Sequence, residues 1–287
     1  MKTKKILSLS ALLIGVSALF ASFATAATTV NGLVSYFSPK NREAVVFQEG
    51  IQGFSYPSFN NFTSNPNIST GGRQGDERKF LVGKHCPDGI CPQSGNYYNT
   101  LPNSIENGDK VRFEIYFHNN GEDSYDGGAT DSPDARNIKI GIDLTNANNQ
   151  LDSDIIRPSG FIYADNNEYR TDKDQSTTVI KDGNGNIVRT ATDDMQIIKG
   201  SNNLILKPVQ NSAWMTVKTD ANNYFDKTVS TSGESITFKT PEGDVTIRAV
   251  AKYSDNKMWV EIDKLPGCFR YSGAILFDVV VEAIQPN

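Results

Sequence analysis

The run from Val111 to His118 alternates without a break. Val111, Phe113, Ile115 and Phe117 fall on one side, and Arg112, Glu114, Tyr116 and His118 on the other. Strict period two gathers those apolar residues on one face only if the segment is extended, because a helix would scatter them around its axis. Residues 137–144 repeat the pattern, with Ile138, Ile140, Ile142 and Leu144 inward. Such strands set one face on a core and the other in water, as in an antiparallel sheet. Further strand candidates are 33–37, 44–48, 79–82, 177–181, 186–190, 204–209, 213–219, 235–239, 244–253, 258–262 and 274–283. The turns between them are rich in Gly, Asn and Asp. The chain of 287 residues contains 22 Asp and 27 Asn but only 11 Glu. Asp and Asn compete for backbone hydrogen bonds and favour turns, whereas Glu favours helices, so a helical bundle or a doubly wound α/β fold is excluded. The expected fold is all-β: an antiparallel β-sandwich, Ig-like or jelly-roll, built as one large sandwich or two smaller ones.

The ends of the chain set its expected location. Lys2, Lys4 and Lys5 precede an apolar run from Ile6 to Phe23, and Ala24, Ala26 and Ala27 give an A-x-A exit. This is the pattern of a secretory signal peptide over residues 1–27, with a signal helix that is removed on export. The expected product is secreted or held at the cell surface, with no membrane span after cleavage. A net charge of −5 argues against nucleic acid, which requires a basic face. Three cysteines remain: Cys86, Cys91 and Cys268. An oxidising compartment favours a small Cys86–Cys91 loop; pairing with Cys268, or a zinc site from His85, Cys86 and Cys91, competes with it. Residues 28–75 read as an N-terminal strand or arm followed by a polar loop. Residues 76–287 hold the sandwich, with a possible subdivision near 152–174.

Candidate sites are few. Asp123, Asp126, Asp131 and Asp134 crowd one polar stretch, and closely spaced carboxylates are what calcium selects. Asp152, Asp154, Asp165, Asp172 and Asp174 form a weaker group of the same kind. The Asp182–Asn186 segment opens like a calcium-binding loop, but Ile187 stands where glycine is needed, so a hairpin turn explains it better. His118 ends its strand on the polar face and is expected to be exposed. Glu261-Ile-Asp263 begins a jelly-roll glycosidase motif whose second Glu is replaced by Pro266. No G-x-S-x-G elbow or H-E-x-x-H is present. Trp214, Trp259, Tyr97 and Tyr98 offer rings on which sugars can stack.

The strings Gly75-Asp-Glu-Arg-Lys-Phe-Leu-Val82, Asn107–Gly121 and Ala135-Arg-Asn-Ile-Lys-Ile140 are similar to those of a largely uncharacterised family of secreted bacterial surface proteins, from candidate-phylum and other environmental bacteria. The ending Pro266-Gly-Cys-Phe-Arg-Tyr-Ser-Gly273 resembles the same family's C-terminal signature. Gly-Asp before a strand that ends in Asn-x-Gly also resembles, more loosely, the Ig-like conserved repeat of bacterial surface proteins. The resemblance implies a cell-surface β-sandwich and brings no catalytic residues. The expectation is a non-catalytic structural or interaction protein. It would associate as a homo-oligomer or with another surface protein, self-assembling through the strand-like 30–37. A carbohydrate-binding module is the alternative, and a glycan hydrolase stands behind both.

Overall fold

The computed structural model describes residues 45–46, 53–63, 77–92, 96–121, 133–170, 179–201, 203–218, 227–240, 243–267 and 271–284. Residues 1–27, expected to be a signal peptide, most of residues 28–75, and Asp123, Asp126, Asp131, Asp172, Asp174 and Cys268 lie outside these residues. Among the described residues there are sixteen strands, and the one α-helix, α1 (Thr145–Asn148), is a single turn.

Two six-stranded antiparallel sheets face each other. The first contains β3 (Leu81–Cys86), β4 (Lys110–Phe117), β10 (Leu204–Pro208), β11 (Trp214–Val217), β12 (Lys227–Val229) and β16 (Gly273–Ala283). Its order is β12-β11-β16-β4-β3, with β10 on β16 beyond β11. The second has the order β13-β14-β15-β5-β7-β8. These strands are β13 (Ser232–Thr240), β14 (Gly243–Tyr253), β15 (Lys257–Leu265), β5 (Ala135–Asp143), β7 (Ser159–Tyr163) and β8 (Thr190–Asp194). Two short pairs complete the structure: β1 (Val45–Val46) with β2 (Phe62–Thr63), which is parallel, and β6 (Ile155–Ile156) with β9 (Ile197–Ile198).

The inner faces are those the alternation predicts. Val111, Phe113, Ile115 and Phe117 of β4 are fully buried, as are Ile138, Ile140 and Ile142 of β5 and Leu144 after it. Phe113 lies opposite Phe277 of β16, and Ile140 opposite Val260 of β15. One hydrophobic cluster takes residues from both sheets. Burying this apolar area is the main force holding the sheets together. Within 152–174, β7 sits inside the second sheet between β5 and β8.

Candidate functional site

The register of the second sheet decides which side chains share its outer face. Met258, Val260 and Ile262 of β15 point inward, so Trp259 and Glu261 point outward. On β7, Ile162 is inward, and Phe161 and Tyr163 are half-buried on the outer side. Pairing across β5 then fixes two rows. Lys252, Trp259, Gly141, Phe161 and Thr192 form one; Val250, Glu261, Lys139, Tyr163 and Thr190 form the next. Each polar ring atom is tied to a carboxylate two residues ahead on its own face. Trp259 Nε1 donates to Glu261 Oε1 at 3.1 Å, and the Tyr163 hydroxyl donates to Asp165 Oδ1 at 2.8 Å. The bond to Asp165, with burial adding to it, raises the Tyr163 pKa. Hydrogen bonds from Asn137 and Tyr163 hold the Asp165 carboxyl below its ordinary value.

Trp214 lies elsewhere. It is 40% exposed on β11, opposite Leu276, on the outer face of the first sheet. The two tryptophans therefore stand on opposite outer faces of the sandwich and cannot form one platform. Tyr97 is half-buried, with Lys84 Nζ 4.6 Å from its ring centroid, while Tyr98 is exposed.

The described acids of the calcium candidates already have protein partners. Asp134 is buried and paired with the Lys264 ammonium. The buried Lys199 takes the place a cation would fill beside Asp152 and Asp154: its Nζ donates to the carbonyl oxygens of Gln150 (3.1 Å) and Leu151 (2.7 Å). Burial lowers the Lys199 pKa, and Asp154 and Asp152 pull it back up. The Asp182–Asn186 segment is a hairpin turn, with Asp182 Oδ1 accepting from the Asn184 and Asn186 N–H groups and an antiparallel bridge between Lys181 and Ile187. Among the described residues no group of three or more His, Cys, Asp or Glu is arranged to hold a metal ion.

The histidines serve as ties. His118 is not exposed as its alternation implies; it is 2% exposed, because the segment 57–61 and Glu77 cover that end of β4. Its Nδ1 lies 2.9 Å from Glu77 Oε1. Asn60 Nδ2 donates to the Tyr116 carbonyl and its Oδ1 accepts the His118 N–H; Asn120 Oδ1 in turn accepts the Asn61 N–H. The amides of Asn60, Asn119 and Asn120 thus clamp the N-terminal segment to the main chain, which satisfies polar groups that burial would otherwise leave costly. His85 Nε2 meets Asp109 at 2.7 Å, and Asp109 also accepts the N–H groups of Asp88 and Glu106. Burial alone would raise the Asp109 pKa, but the bonds from Glu106, His85 and Asp88 outweigh it and hold the carboxyl low. These contacts brace the loop closed by the Cys86–Cys91 disulfide.

Sequence reasoning singled out Trp259 but missed Phe161, Gly141 and Lys139 beside it. Phe161-Ile-Tyr163 is an apolar triplet set in a polar stretch, and that was the available signal. No protein-family model, curated protein or solved structure matches the chain. Its function therefore has to be argued from this geometry.

Proposed function

We propose that the chain is an exported, non-catalytic interaction protein of the cell surface that assembles with its own copies by strand addition. The observation that carries this reading is the edge formed by β13. This strand runs nine residues and, among the described residues, pairs with β14 alone. Its register shifts once, between Ser232 and Ser235, and is then regular to Thr240. A long regular edge offers a row of main-chain donors and acceptors to another strand. The donor in this reading is the strand-like 30–37 of a neighbouring copy. The non-catalytic part rests on His85 and His118, each held against a carboxylate and largely buried. The Cys86–Cys91 disulfide fits an oxidising destination.

The test compares residues 28–287 with residues 45–287, which keep β1, by negative-stain microscopy and sedimentation. Ordered oligomers of the longer chain and a monomer of the shorter one, with equal melting temperatures, are expected. Thr237→Lys, which places a charge on the edge, should also reduce assembly. A mature chain that stays monomeric at every concentration, or polymers unchanged by the truncation, would overturn the proposal.

A further inference from the structure

The row Lys252–Trp259–Gly141–Phe161–Thr192 has no side chain at its centre. A Cβ on Gly141 would come 2.3 Å from the Met258 carbonyl oxygen and 2.5 Å from the Trp259 Cβ. Neither atom can retreat far, since one is backbone and the other is fixed to it, so no side chain fits there, and Gly141 is itself buried beneath its neighbours. Trp259 and Phe161 flank it from β15 and β7. Two strand spacings separate them, about 10 Å at the backbone, which matches two sugar residues of an extended chain rather than one.

We infer that this face binds an uncharged polysaccharide running across the strands. One pyranose stacks on Trp259, the next-but-one on Phe161, and the sugar between them bridges the two rings. The apolar C–H faces of flat, equatorially substituted pyranoses pack on aromatic rings, and their hydroxyls need donors and acceptors nearby. The adjoining row supplies these from Glu261, Lys139 and Tyr163. The charges balance: Lys139 and Lys252 are matched by Glu261 and Asp165, while Lys257 pairs with Asp143 at 2.7 Å. A polyanion would need a surplus of positive charge, and this face has none. The rings are also separated by glycine rather than gathered, which suits spaced sugar contacts better than the continuous apolar centre of a protein interface.

The experiment is co-sedimentation of the mature protein with insoluble cellulose, chitin and xylan. Retention on at least one is expected. Trp259→Ala and Phe161→Ala should each weaken it by about tenfold, and Trp214→Ala, on the opposite face, should leave it unchanged. Trp259→Phe keeps a flat ring and should retain most of the binding, which separates loss of stacking from loss of fold. Removing residues 28–44 should not alter retention, so failure of the assembly reading and failure of this one are distinguishable. No retention on any of the three polymers would overturn the inference. So would equal loss with Trp214→Ala, or indifference to both Trp259→Ala and Phe161→Ala. If Trp259→Ala changes the sedimentation coefficient instead of retention, the face is a contact between copies and the inference fails.

Discussion

The two sheets bury the same kind of inner face and differ in what lies outside it. On the first sheet part of the outer side is covered: Glu114, Lys84 and Leu276 are 4, 7 and 6% exposed, and the 96–100 segment brings Tyr97 against Lys84, whereas Trp214 farther along the same face stays exposed. Charge there is structural. Arg112 donates to both carboxylate oxygens of Asp278, directly opposite on β16, at 2.7 and 2.9 Å. The bonds to Asp278 raise the Arg112 pKa against the opposing effect of burial. On the second sheet Lys139, Lys252, Arg248 and Asp263 are exposed, and the rings of Trp259 and Phe161 are only half-buried. The same alternation therefore yields a partly buried ion pair where a connecting segment lies against the sheet, and an exposed row where, among the described residues, none does. Connections, more than strands, decide which face remains available to a partner.

The seam between the sheets should give the largest effect. Asp193, at the edge strand β8, reaches across to β3, where its Oδ2 accepts the Leu81 N–H at 2.9 Å. Burial pushes its carboxyl up to about 7, with Asp194 adding to the shift, against the bonds donated by the Leu81, Phe80 and Asp194 N–H groups. An unfolded Asp releases its proton near pH 4, whereas the folded one keeps it to about 7. The stability from this group is therefore complete below pH 4, declines as pH rises and is gone above 7. The change amounts to roughly 4 kcal/mol. Urea unfolding at pH 5 and pH 8 should show the decline in the wild type, and Asp193→Asn should flatten it. Equal slopes in both proteins would mean that the carboxyl is solvated and the seam open.

Next comes the covered face. Asp278→Ala leaves the Arg112 guanidinium half-buried without its carboxylate and should cost about 3 kcal/mol. A smaller loss is expected where the first sheet ends. Replacing both Cys86 and Cys91 by Ala frees a short loop and should cost about 2 kcal/mol. Chemical unfolding with and without reductant checks it: reductant should match the double variant and add nothing to it.

How much of this was legible depended on distance along the chain. The alternation in β4 and β5 named their inward residues correctly, because the period of a strand is local. Segments 177–181 and 186–190 fell short of full strands. Apart from Thr190, which opens β8, their described parts make only isolated bridges, including Lys181 with Ile187, although Val188 is buried in the core and Ile180 packs against it. β7 went unread because three consecutive apolar residues with no period-two pattern do not stand out inside an Asp- and Asn-rich stretch. The burial of His118 could not be read at all: the segment covering it lies about sixty residues away and is held by Asn amides, which in sequence look like turn residues. The site row was half legible. An outward Trp259 follows from the alternation of β15, but Gly141 and Phe161 join it only through the register of three strands.

The smallest expected effect tests the open face. Arg248 Nη1 and Asp263 Oδ1 are 3.8 Å apart on the second sheet, with side chains 48 and 62% exposed. In water an attraction at that separation is weak, and ordering two long side chains opposes it. Asp263→Ala should therefore change stability by less than about 0.5 kcal/mol, against about 3 kcal/mol for Asp278→Ala. The chemistry of the two pairs is alike, so the difference between the two losses measures cover rather than charge. Chemical unfolding at low and at 1 M salt separates the two cases: salt should erase the Asp263 effect and leave most of the Asp278 effect. A loss above 1 kcal/mol for Asp263→Ala that survives salt would mean that this face is covered in solution, and a second copy lying on it would then become the first occupant to look for.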